Sequence, residues 1–152
     1  MLCFAVQAKD SSGASVRSSD PFSLSQRTAV SFKLYYPKKL PEELRGIRPP
    51  GGQIQTGTVT ITIDGAEGRM LSISQQAVMT GFDQATLRRG LSDSHDIRTS
   101  LGQAIIGSAD NGKTHVGSLV TDDGTWILIT APSEIPIEDV IYLLQNLRTA
   151  NS

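Results

Sequence analysis

The sequence predicts an α+β domain: a curved antiparallel sheet of about six or seven strands in meander order, packed by a C-terminal helix and one short helix. Three observations carry this expectation. Thr58 to Ile63 reads TVTITI, the strict polar/apolar alternation of a half-buried strand. Asp64-Gly65, Asn111-Gly112 and Asp123-Gly124 separate runs of β-branched residues, and such pairs tolerate the left-handed backbone of hairpin turns. After Pro136 the apolar period lengthens to that of a helix, with Ile137, Val140, Ile141, Leu144 and Leu147 on one stripe.

Taken in order, residues 1–27 read as a segment outside the domain and residues 28–150 as the domain. MLCFAVQA is a short apolar run ending in the small-x-Ala sequence Val6-Gln7-Ala8, and the Ser-rich KDSSGASVRSSD follows. It has the look of the tail of an export or membrane segment; a first strand or a frayed terminus fits equally. Residues 9–20 lack the apolar content to pack and read as a flexible linker. Ser31 to Tyr36 is a strand with Phe32 and Leu34 on one face, stopped by Pro37. Pro37, Pro41, Pro49 and Pro50 then predict an irregular connection, whose Lys38, Lys39, Arg45 and Arg48 read as a solvated loop.

Val59, Ile61 and Ile63 point inward from the next strand, Thr58, Thr60 and Thr62 outward. Arg69 to Gln75 returns as its hairpin partner with Leu71 and Ile73 inward. Within 79–91 a short helix ends at Gly90, and SDSHD, residues 92–96, reads as a loop. Strands follow at Asp96 to Leu101, Gln103 to Ser108 and Thr114 to Thr121. Asp123-Gly124, taken as a two-residue turn, sets Thr121 opposite Trp126, Val120 opposite Ile127 and Leu119 opposite Leu128. That register places Leu119, Trp126 and Leu128 on one face, and Val116, Val120, Ile127 and Ile129 on the other. Both faces of this strand pair are then apolar, and the last helix is the expected cover. The helix opens with Pro136 at its first position and carries Glu138 and Asp139 where they suit the dipole.

Bulk composition excludes several functions. With 14 Lys and Arg against 15 Asp and Glu, the net charge of −1 gives no field to attract nucleic acid. The single cysteine, Cys3, has no intrachain partner and too few residues before it for a lipidation signal. No run approaches the ~20 apolar residues of a membrane-spanning helix.

Chemistry-bearing constellations are equally sparse. Neither His95 nor His115 has a metal-ligand spacing, and both read as surface or sheet-facing residues. Ser94-His95-Asp96 are neighbours in sequence, whereas a triad is assembled in space. Residues 107–114, GSADNGKT, satisfy G-x-x-x-x-G-K-[ST], so a nucleotide-binding or enzymatic role through Lys113 stands as an alternative. A phosphate loop requires a helix after its lysine, and THVGSLV reads as a strand, which favours a hairpin through Asn111-Gly112. Asp122-Asp123 and Glu42-Glu43 read as solvated turn acids. Catalytic residues, metal and cofactor are therefore not expected. The candidate ligand surface is Met70, Met79, Phe82 and Leu87, apolar residues near the short helix. A structural or assembly domain, marked by an exposed strand edge, is the third reading.

The order of these pieces carries a resemblance: a strand into YYPKKLPEEL, a Thr-rich strand, LSISQQ, IRTSLGQAIIG, GTWILITAP and the helix IPIEDVIYLLQNL. It resembles a bacterial family of uncharacterised domains found on the outer side of anti-sigma-factor-like membrane proteins and in lipoproteins. The likeness covers residues 28–148, with Pro37-Lys38-Lys39-Leu40-Pro41 matching a P-x-x-L-P element and Gln75 and Gln76 in the middle strand. Trp126 after the turn and Glu43 after the Leu-Pro-Glu depart from its pattern. The resemblance, with its lipoprotein-carrier-like half-barrel relatives, implies a noncatalytic binding or sensory module outside the cytoplasm. Its partner would be a protein or lipid-like ligand at the cell envelope.

Overall fold

The computed structural model describes residues 15–17, 19–50 and 57–150; the signal-like run around Cys3 and Val6-Gln7-Ala8 lies outside them. Along the chain come β1 (Ser15–Arg17), α1 (Leu24–Thr28), β2 (Tyr35–Pro37), β3 (Lys39–Pro41) and β4 (Leu44–Arg48). The hairpin β5 (Val59–Gly65) and β6 (Met70–Ala77) and the helix α2 (Gln84–Arg89) follow. Then come β7 (Ser92–Thr99), β8 (Gly102–Ala109), β9 (Thr114–Val120), β10 (Thr125–Pro132), α3 (Ile137–Gln145) and β11 (Leu147–Thr149). The fold is α+β, as the alternation and the final stripe predict.

Seven strands form one open antiparallel sheet in the order β4-β5-β6-β10-β9-β8-β7. The centre is not a simple meander, because β6 pairs with β10 and the segment from α2 to β9 is folded out to one side. Two small ladders, β2 with β11 and β1 with β3, lie apart from the main sheet.

One face of the sheet is the core. Val59, Ile61 and Ile63 of β5, Leu71 and Ile73 of β6, Ile127 and Ile129 of β10, Leu119 of β9 and Ile106 of β8 are all buried there. α3 packs over this face against β9, β3 and β7, burying Val140, Leu143 and Leu144. The predicted stripe is present, but its centre is Leu143 rather than Ile141, which is half-buried. Pro136 sits just before the first turn, and Leu147 belongs to β11, buried opposite Pro37. The close approach of helix and sheet needs a glycine. A Cβ on Gly117 would lie 2.9 Å from both Leu144 Cδ1 and Val140 Cγ1, well inside van der Waals contact.

Four local expectations are corrected. Residues 31–34 make no strand: the ladder with β11 begins at Tyr35, opposite Thr149, and the main-chain N–H and C=O of Tyr35 are taken by the Gln75 side chain. The connection after Pro37 is not irregular: β3 and β4 form within it, with a bulge between Leu44 and Gly46. SDSHD is not a loop but the start of β7, an edge strand that needs only one partner. Its polar residues face water, and a bulge between Ser92 and His95, with Asp93 at φ 52°, accommodates them. Such a charged, bulged edge also resists pairing with another sheet.

The fourth correction is one of register. Val120 lies opposite Trp126 and Leu119 opposite Ile127, one residue from expectation. The loop holds three residues: Gly124 N–H donates to Thr121 O at 3.1 Å, Gly124 takes φ 91°, and Thr121 N–H closes on Thr125 O at 2.9 Å. A one-residue slip exchanges faces. Leu119 joins Ile127 and Ile129 in the core, whereas Trp126 and Leu128 stand on the opposite face with Val116 and Val120.

The segment before the domain also contributes structure. β1 pairs with β3, Phe22 is buried in the core, and α1 is closed by a capping box between Ser23 and Gln26. Among the described residues, no helix is long and apolar enough to cross a membrane.

Candidate functional site

The face of the sheet opposite α3 is unequally covered. α2 packs on β8, and Leu91 lies against Gly107, where an added Cβ would meet Leu91 Cβ at 3.0 Å. Ile105 and Val116 are buried on this side, apart from the main core cluster. Over β5, β6 and β10 no described helix makes substantial contact. Alternation along three strands therefore leaves a grid open to solvent: Thr58, Thr60 and Thr62; Ser72, Ser74 and Gln76; Trp126, Leu128 and Thr130.

The grid is uncharged and internally paired. Thr60 and Ser74 hydroxyls are 3.0 Å apart, Ser72 and Thr130 hydroxyls 2.8 Å, and Thr58 donates to Gln76 Oε1 at 3.2 Å. Each hydroxyl keeps further donor or acceptor capacity toward solvent. At one end Phe82 leans on Trp126, ring centroids 4.6 Å apart and planes at 41°, within the separation of interacting aromatic pairs. Trp126 Nε1 donates to Ser118 Oγ at 2.9 Å, and Ser118 donates to Gln84 Oε1 of α2 at 2.6 Å. This chain fixes the indole and ties α2 to the sheet. The Asp83 side chain caps α2 by accepting from Ala85 N–H.

The candidates from sequence separate here. Phe82 N–H bonds Met79 O at 3.0 Å, so Met79, 57% exposed, sits on the turn beside the aromatic pair. Leu87 is half-buried on α2 at the covered end. Met70, 48% exposed, shares the open face but starts β6 opposite Asp64, seven residues from its other end. Trp126, Ser118 and the hydroxyl grid were missing from that set. The Thr-x-Thr-x-Thr pattern already marked the grid's first row, but Trp126 was displaced to the wrong face by the turn.

Other polar clusters resolve into structure. The Tyr35 hydroxyl donates to Asp123 Oδ2 at 2.6 Å, Thr121 also donates to Asp123, and Lys33 Nζ stands 3.7 Å away. Burial, then the Asp123 carboxylate, pushes the Tyr35 phenol up to about 12, leaving it unfit for proton transfer at neutral pH. Burial of Asp123 opposes its ionisation, yet the hydrogen bonds from Thr121 and Tyr35 and the charge of Lys33 together hold its carboxyl below the usual range.

His115 lies opposite Ala131 and Ser108, its buried Nδ1 without a hydrogen-bond partner. His95 Nδ1 is 3.3 Å from Asp93 O at the exposed edge. In the GSADNGKT segment Asp110, Asn111 and Gly112 all take positive φ, Gly112 N–H bonds Ala109 O, and Thr114 begins β9 opposite Ala109. Lys113 is therefore followed by a strand, not by a helix N-terminus. Among the described residues no His, Cys, Asp or Glu side chains group as a metal site.

A cavity of about 250 Å³ is lined by Arg27, Phe32, Lys33, Leu34, Thr149 and Ala150, below the roughly 300–1,000 Å³ of ordinary ligand pockets. Its Arg27 is already committed to Asp20 and Phe22 O. No family model, curated protein or solved structure matches the chain.

Proposed function

We propose that this domain is a noncatalytic binding module that takes a neutral, hydroxylated ligand, such as an extended glycan, on the open face of β5, β6 and β10. The observation that carries this reading is the asymmetry of the sheet at β5, β6 and β10: one face is buried in the core, while the other presents hydroxyls and a carboxamide beside a half-buried aromatic pair, with the Arg48–Asp64 ion pair at its edge. Hydroxyls donate and accept at once, so they match the hydroxyls of a sugar without the desolvation cost of an ion. The Phe82 and Trp126 rings offer an apolar platform at the end of the row. The placement outside the cytoplasm implied by the resemblance belongs to the same proposal, and fractionation of expressing cells checks it.

Trp126 is the only tryptophan in the chain, so its fluorescence reports directly. Titration with cellopentaose and with chitopentaose is expected to quench or shift Trp126 emission saturably, and Ser74→Arg, which plants a long charged side chain in the grid, is expected to abolish it. An unresponsive wild type, or a response unaltered in Ser74→Arg, overturns the reading.

A further inference from the structure

The closing helix contains an acid where an apolar residue would pack as well. Asp139 is only 6% exposed, yet its Oδ2 is buried without a hydrogen-bond donor. The acid that acts on it is Glu43, an exposed residue in the turn between β3 and β4. Two ionised carboxylates only accept; a proton on one of them supplies the missing donor. We propose that Asp139 is a pH-sensitive clasp: its protonated carboxyl donates to Glu43 and holds α3 to the β3–β4 turn, and the contact loosens when that proton is lost.

Burial first, then Glu43 by hydrogen bond and charge, then Glu138 one residue before it, push the Asp139 carboxyl up to about 7. The ionisable residues on the strands packed against α3 are Lys39 of β3, His115 of β9, and Asp93, His95, Asp96 and Arg98 of β7. Of the neighbouring charges, those that act on Asp139 are Glu43 and Glu138. A carboxyl raised by folding contributes stability that is fully present below its ordinary range and is lost as pH rises through the folded value. The clasp is therefore tightest in mild acid and released just above neutrality. Its site lies on the sheet face opposite the proposed ligand grid.

The test is the urea midpoint of the whole chain from pH 5 to 9, for wild type, Asp139→Asn and Glu43→Gln. The wild-type midpoint is expected to fall from pH 5 and level off just above pH 7. Asp139→Asn, whose amide donates to Glu43 without a proton, is expected to flatten that fall and to exceed wild type at pH 8. Glu43→Gln is expected to shift the fall to lower pH. Parallel pH profiles for wild type and Asp139→Asn overturn the clasp. Should Asp139→Asn fail to fold, carboxyl ¹³C titration of Asp139 in the wild type decides: a midpoint near 7 supports the clasp, and one below 5 overturns it.

Discussion

The Gln75 carboxamide bonds both main-chain groups of Tyr35: Tyr35 N–H donates to Gln75 Oε1 at 2.7 Å, and Gln75 Nε2 donates to Tyr35 O at 2.7 Å. Gln75 is fully buried, so one side chain replaces a strand partner between the central sheet and the β2–β11 ladder. Gln75→Leu leaves two buried backbone groups unpaired at about 1–3 kcal/mol each. A loss of roughly 2–6 kcal/mol in urea unfolding free energy is expected.

Gly117 governs how closely α3 can lie. A Cβ added there would meet Leu144 and Val140 carbons at 2.9 Å, and neither helix nor central strand can retreat without opening the core. Gly117→Ala is expected to cost about 1–3 kcal/mol by overpacking, measured by thermal or urea unfolding. Gly117→Val is expected to be worse.

Tyr35 supplies an alkaline signature. Its phenol is raised to about 12, first by burial and then by Asp123. An acid raised by folding favours the neutral form, so its contribution holds below the ordinary value of about 10 and is lost as pH rises toward 12. Absorbance titration at alkaline pH is expected to show Tyr35 ionising well above the ordinary phenol value. Asp123→Asn is expected to bring it down, with burial still holding it above 10.

Ser118 is the relay between Trp126 and Gln84, with hydrogen bonds of 2.9 and 2.6 Å. Ser118→Ala leaves the indole N–H and a carboxamide oxygen without partners, a cost of about 1–3 kcal/mol. Faster solvent exchange of the Trp126 indole proton, measured by NMR, is the expected local sign.

Periodicity made most of this fold legible. TVTITI gave β5 its faces, Asn111-Gly112 and Asp123-Gly124 located their hairpins, Asp64-Gly65 ended β5 with the turn falling on Ala66–Gly68, and the last stripe identified α3. The Ser23-x-x-Gln26 capping box was also present in the sequence, but five residues are too short for a helix to announce itself by period. SDSHD became a strand through pairing with β8, a partner that local propensity does not see.

The open face was half legible. Its threonine row followed from alternation, whereas Trp126 depended on whether TDDGT closes a two- or a three-residue loop. Thr121 decided that by taking Thr125 O with its N–H while its hydroxyl accepts from Thr125 N–H. A single residue of register moved the tryptophan from one side of the sheet to the other.

The most direct measurement is amide and side-chain chemical-shift mapping of the intact chain with cellopentaose. Shifts concentrated at Thr60, Thr62, Ser72, Ser74, Thr130, Phe82 and Trp126, with α3 silent, are the expected result. Shifts confined to α3, to β2 and β11 or to the Lys113 hairpin, or no shifts at millimolar ligand, would contradict an open-face binding module.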